Sequence, residues 1–234
     1  MGRLSDANDA NNKVVATAEG LTSDAFHRLL DLAITGRGKL QGARTIANNQ
    51  LRQRNDQEDA IRWLSNQHIA LAGGQGFATN WGGFLLSLVT IPANMAAAAF
   101  VQARAVAAIA HLRGYELNDP RVRTAILMVM LGPRGSAALI ASGDLPSSAA
   151  AVATAPAFDP QLDSRVSRAL LEHSMNQVGG KRLGVFLAKK VPLVGGGVGA
   201  VVDGWSTRSI IQYAQEQFVS RRPRATGYVI IVED

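Results

Sequence analysis

The sequence predicts an all-α protein: a single-domain bundle of about eight helices, with glycine-rich apolar helices at its centre. Three observations predict it. Apolar residues recur at three- and four-residue spacing along most of the chain, and cap residues, glycine or proline bound each such stretch. Strand-like character is clear only in the closing GYVIIVED, a lone strand with no partner in sequence. With 47% hydrophobic and 6% aromatic residues, the core is built mostly from Ala, Val, Leu and Ile.

The elements follow in order. Residues 1–21 read as a polar, flexible tail, and residues 22–222 as the helical domain. The opening MGRLSDANDANNK lacks the apolar core of a signal peptide, and Asp6 stands where myristoylation needs Ser or Thr. Thr22–Ser23 cap a first helix, with Phe26, Leu29, Leu30, Ala33 and Ile34 on one stripe and Gly36 and Gly38 at its end. A second helix covers Ala43 to Gln53. Asn55–Asp56 cap a third, which turns Ile61, Trp63, Leu64, His68, Ile69 and Leu71 inward until Gly73, Gly74 and Gly76 break it.

Phe77 to Val89 suit a short apolar helix, and Pro92 the first turn of the next, which runs to His111 and stops at Gly114. Asn118–Asp119–Pro120 open the helix RVRTAILMVMLG, closed by Gly132 and Pro133. Ser142 to Pro160, rich in Ala, Ser and Pro, reads as a loop with little order. Asp163 to Val178 is amphipathic, and Gly179–Gly180 end it. A short basic helix, Lys181 to Lys190, precedes the apolar VPLVGGGVGAVV, which leads into a last amphipathic helix. Residues 223–234 form a C-terminal tail with the short strand.

From Trp63 to Ala103 there is no Asp, Glu, Lys or Arg. That is about twice the ~20 apolar residues of a bilayer span. Its glycines and Pro92 make two short helices meeting at a kink more fitting than one span. The net charge of +6 is localised: Lys181, Arg182, Lys189, Lys190, Arg208, Arg221, Arg222 and Arg224 face only Asp203 and Glu216 within that stretch. A localised positive segment suits a polyanionic partner or, more plainly, a set of solvated helix faces.

Several chemistries lack their residues. Without Cys there is no disulfide, zinc-thiolate site or thiol catalysis. Gly73-Gly74-x-Gly76 and Gly195-Gly196-Gly197-x-Gly199 lack the Gly-Lys-Ser/Thr of a phosphate loop and the strand–helix setting of a dinucleotide site. Small residues there, with Gly82 and Gly83, instead let helix backbones approach closely. His27, His68, His111 and His173 show no metal-ligand spacing, although His68, near the start of the uncharged run, and His111, beyond its end, are able to meet in space. Ser136, Ser142 and Ser206 lack the setting of a hydrolase nucleophile. The aromatics among the basic residues fall at core-like spacing, which argues against nucleic acid.

AGGQGFATNWGGFLLSLVTIP, RAVAAIAHLRGYELNDP and VPLVGGGVGAVVDGWSTRSIIQYAQEQF, in this order, resemble the EcsC family over roughly residues 56–220. The resemblance implies a helical, membrane-connected bacterial protein and brings no catalytic residues with it. The chain departs from the family pattern at Thr90, where an acidic residue often precedes Ile-Pro or Leu-Pro, and at Gly114–Tyr115, which inverts Tyr-Gly.

These readings lead to a non-enzymatic, lipid-interacting or membrane-associated protein, without cofactor or metal, in the cytoplasm or peripheral on the inner membrane face. Phe77, Trp81, Phe84, Leu85, Leu88, Met95, Phe100, Val194 and Val198 are expected to line an apolar groove. Gly82, Gly83, Gly195, Gly196, Gly197 and Gly199 would mark helix contacts. Lys181, Arg182, Lys189 and Lys190 would meet anionic headgroups of a membrane surface. The alternatives are an accessory or assembly protein acting through protein contacts, at a transporter or protein shell, and a hydrolase with an unrecognised site.

Overall fold

The computed structural model describes residues 25–38, 40–73, 93–145, 147–188 and 197–221, with backbone alone at 73, 93–95, 175–188 and 197–205. These residues are mostly helical. Helix α1 covers 25–35, and a two-stranded antiparallel hairpin follows, β1 Gly36–Arg37 against β2 Leu40–Gln41. Then come α2 Ala43–Arg54, α3 Gln57–Gly73, α4 Ala93–Leu112, α5 Pro120–Met130, α6 Gly132–Ala141, α7 Ala149–Ala153, α8 Pro160–Ala188 and α9 Gly197–Gln217.

Two of the expected capping residues, Asp56 and Asp119, act where the sequence puts them, and Thr22–Ser23 lie outside the described residues. The Asp56 carboxylate accepts the Asp59 amide at 2.7 Å at the start of α3. Asp119 accepts the Arg121 amide at 2.9 Å, with Pro120 in the first turn of α5. Asn55 ends α2 in the left-handed region, at φ 53°.

The hairpin escaped sequence reading because two-residue strands carry no alternation. Its signal was glycine. Gly36 has φ +74°, and a Cβ on it would lie 2.3 Å from the Leu40 carbonyl oxygen. GYVIIVED, the tail 1–21 and the expected helix over Phe77 to Val89 lie outside the described residues.

Three expectations need correction. Gly132, at φ +73°, does end α5, but the chain turns 106° there and continues as α6. Ser142 to Pro160 is not a loose loop: it contains α7, and Leu145, Ala149, Val152 and Ala153 are buried. Gly179–Gly180 do not end α8. A mid-helix glycine costs about 1 kcal/mol, which a helix of 29 residues can carry. The expected separate basic helix is therefore the last part of α8 as far as Ala188, with Lys189 and Lys190 outside the described residues.

Helices α4 and α5 form the centre. From Ala103 to Ala110 every residue of α4 is buried, as is every residue of α5 from Thr124 to Met130. Alanine at most of those α4 positions lets α2, α3, α5 and α9 pack against it at close range. Helices α7 and α8 pack on α5, and α1 is tied to the same side by the Arg123–Asp31 ion pair at 2.7 Å. Among the described residues no single helix is long and apolar enough to cross a membrane. The bent pair α5–α6 has the length and composition, but α5 is a core helix.

Candidate functional site

Side-chain contacts fix the relative directions of three helices. Glu58 pairs with Arg113 and His68 with Arg104, so α3 and α4 run antiparallel. Gln57 donates to Ser220 and Gln215 to Ser65, so α3 and α9 also run antiparallel. Gln102 donates to Thr207, and the Arg221 amide donates to the Arg113 carbonyl at 2.8 Å, so α4 and α9 run parallel. It follows that Gly73 at the end of α3, Ala93 at the start of α4 and Gly197 at the start of α9 lie at one pole of the bundle. The uncharged stretches 74–92 and 191–196 are both attached there.

Running from the first turn of α3 toward this pole, α3 and α9 enclose a cleft of about 430 Å³. Helix α3 contributes Glu58, Ile61, Arg62, Ser65, Asn66 and Ile69, one stripe at helical spacing. Helix α9 contributes Arg208, Ile211, Gln212 and Gln215, another such stripe. Because the helices are antiparallel, Ile69 and Arg208 mark the end nearer the pole. Ser65 donates to the Ile61 carbonyl at 2.7 Å and accepts from Gln215 at 3.1 Å, which spends both groups on holding the floor. Arg113 donates to Glu58 from both terminal guanidinium nitrogens, one of them at 3.0 Å. Arg62 pairs with Asp59 on an exposed surface, whereas Arg208 makes no ion pair among the described residues.

On the α4 side of α3 lies a buried polar pair. His68 is fully buried; its Nδ1 lies 2.8 Å from the Leu64 carbonyl oxygen and its Nε2 3.1 Å from Arg104 Nε. Arginine can only donate, so Nε2 must be the acceptor and Nδ1 must carry the proton. Burial, then the Arg104 charge, lower the His68 pKa to about 4. Burial lowers the Arg104 pKa to about 10. Among the described residues no carboxylate pairs with Arg104; its Nη1 donates to the Gln41 carbonyl at 3.4 Å, which ties α4 to the hairpin.

A second polar cluster joins α1, α5 and α8. His27 Nε2 lies 3.0 Å from Asp163 Oδ2 and 3.1 Å from Ser167 Oγ, and Thr124 donates to Asp163 Oδ1 at 2.6 Å. A hydrolase relay needs serine and carboxylate on opposite imidazole nitrogens. Here both contact Nε2, so this Ser, His and Asp make a structural clasp. Burial pushes the Asp163 carboxyl up, but hydrogen bonds from His27 and Thr124 and the charges of His27 and Arg123 outweigh it, leaving the pKa below the ordinary value. Ser136 and Ser142 donate to the Met128 and Leu139 carbonyls.

His68 and His111 do not meet: His111 Nε2 lies 3.0 Å from Asn48 Oδ1. Among the described residues no three His, Asp or Glu side chains converge as metal ligands would.

Of the residues expected to line a groove, Phe100 is fully buried in the core, with the Arg104 guanidinium 5.4 Å from its ring centre. Met95 and Val198 stand in α4 and α9, and Gly197 and Gly199 in the first turn of α9, with only their backbones described. Lys181 and Arg182 stand in α8 in the same way. Phe77, Trp81, Phe84, Leu85, Leu88, Val194, Gly82, Gly83, Gly195, Gly196, Lys189 and Lys190 lie outside the described residues. The α3–α9 cleft escaped sequence reading because its polar residues look like ordinary exposed helix positions. Only the absence of a nearby carboxylate partner for Arg208 gave a hint.

Neither a curated protein nor a solved structure matches this chain. Family comparison matches residues 3–222, starting far ahead of the motifs that carried the resemblance, and on that match the chain belongs to the EcsC protein family.

Proposed function

We propose that this protein is a non-enzymatic, membrane-associated protein that engages anionic lipid through one pole of its helical bundle. The observation that carries the reading is the shared attachment of the two uncharged, glycine-rich stretches. They are far apart in sequence, yet helices α3, α4 and α9 present both at one pole. A soluble protein gains nothing from gathering such sequence at one end unless that end is covered.

Charge supports the same reading. Lys189 and Lys190 directly precede the uncharged stretch 191–196 in sequence. A basic cluster beside an apolar surface is the combination that holds a peripheral protein on an anionic leaflet.

The test is flotation of the full chain with phosphatidylglycerol–phosphatidylcholine vesicles at physiological salt, together with mass spectrometry of organic extracts of the purified protein. Binding to the anionic vesicles, or a co-purified lipid, is expected. Neither binding nor lipid would remove this reading and leave an accessory protein working through protein contacts.

A further inference from the structure

We propose that the cleft between α3 and α9 is a binding site for a phosphate ester bearing hydroxyl groups, the chemistry of a polyol phosphate headgroup. The inference rests on the membrane reading for its source of ligand, and on the cleft alone for its chemistry.

Size comes first. About 430 Å³ lies in the range of small-molecule pockets and holds a headgroup, not a whole lipid. Charge comes second. The cleft holds two guanidinium groups and one carboxylate. Glu58 is neutralised by its two-pronged contact with Arg113, so it does not repel an anion. Arg208 has no ion-pair partner among the described residues. Among the described residues Arg62 pairs with Asp59 alone, and both side chains are more than half exposed. Such a pair contributes little, so Arg62 exchanges Asp59 for a phosphate at small cost.

The remaining walls suit hydroxyl groups. Asn66 and Gln212 each offer an amide donor and an amide acceptor, and Gln215 keeps its carbonyl oxygen free for accepting once its NH₂ has engaged Ser65. A bare anion has no use for acceptors; a polyol phosphate uses both kinds. Orientation comes third. The Arg208–Ile69 end is the one nearer the pole that carries the uncharged stretches. A headgroup seated against Arg208 leaves its acyl chains pointing toward that pole.

Two sources supply this chemistry, a membrane lipid or a soluble phosphate ester, and the test separates them. Binding of the full chain to vesicles of phosphatidylglycerol in phosphatidylcholine is measured by flotation. Binding to glycerophosphoglycerol and to glycerol 3-phosphate is measured by calorimetry. The variants are Arg208→Gln, Arg62→Gln and the double substitution, with Arg165→Gln on exposed α8 surface as the control for net charge; thermal melts verify that each is folded. The double variant is expected to weaken both vesicle and soluble-headgroup binding at least about tenfold, while Arg165→Gln stays within about twofold. Saturable glycerol 3-phosphate binding that the double variant abolishes, without vesicle binding, would keep the cleft and remove the membrane reading. Vesicle binding indifferent to both arginines would keep the membrane reading and overturn the cleft. No binding of any probe would overturn both.

Discussion

Arg104 donates from Nε to Nε2 of His68 at 3.1 Å, a buried cation resting on a neutral imidazole. The pair joins α3 to α4, and Arg104 carries the link on to the hairpin through the Gln41 carbonyl. Arg104 is also the residue that ends the uncharged run begun after Arg62.

The pair makes stability depend on pH. The His68 pKa is lowered from 6.5 to about 4 in the folded protein. Between these values the unfolded chain binds the proton and the folded protein does not. Stability is therefore full above pH 6.5 and falls as pH drops toward 4, by up to about 3 kcal/mol from this group. Chemical denaturation of wild type and His68→Gln across pH 4–7.5 measures it; the variant should show the shallower slope, and equal slopes would contradict the assignment.

Removing one partner differs from removing the cation. His68→Leu leaves the Arg104 Nε–H buried without an acceptor and should cost about 2–4 kcal/mol. Arg104→Met replaces a buried cation by an apolar chain of similar length and should cost far less, or stabilise. Urea midpoints of the two variants give the order, and the reverse order would show that Arg104 has a carboxylate partner beyond the described residues.

Gly36 and Gly38 both have positive φ, but only Gly36 is crowded: a Cβ there would lie 2.3 Å from the Leu40 oxygen, while Gly38 has nothing within 4 Å. Gly38→Ala should cost about 1 kcal/mol from backbone strain. Gly36→Ala should cost at least about 2 kcal/mol more and disrupt the hairpin. Thermal melts of both variants decide it.

Asp163 holds α1 and α5 to α8 through His27 and Thr124. Its carboxyl titrates below the ordinary range, so its contribution is present above the unfolded value and lost as pH falls through the lower, folded one. Asp163→Asn should destabilise by about 1–3 kcal/mol at pH 7 and by less in acid. An unchanged difference at pH 3 would remove the charge from the explanation.

If the basic cluster holds the protein on anionic lipid, replacing Lys181, Arg182, Lys189 and Lys190 together by Gln should weaken vesicle binding by roughly 4 kcal/mol, about a thousandfold. Rising salt should weaken the wild type more than the variant. Flotation at 50 and 300 mM salt tests both statements.

Much of the helical order was legible residue by residue. Asp56 and Asp119 are short side chains whose oxygens satisfy amides two or three residues on, a local event that needs no knowledge of the rest of the fold. The stripe Phe26, Leu29, Leu30, Ala33 and Ile34 is buried as its spacing requires. Where sequence reading failed, distant contacts decided. Gly179–Gly180 carry a local tendency to stop a helix, and α8 runs through them. Residues 142–160 lack periodicity, yet Leu145 and Val152 are buried in the core that α7 shares with α5.

The sequence by itself determined the fold class, most helix starts, the family resemblance, and two uncharged glycine-rich stretches beside an excess of positive charge. Each depends on neighbours within a few residues, or on composition. The tertiary structure decided which ends of α3, α4 and α9 share a pole. It also decided that His68 faces Arg104 and not His111, and that Arg62 and Arg208 border one cleft. These pairings join residues from 36 to about 150 positions apart, and helix direction and packing, which no local pattern encodes, bring them together.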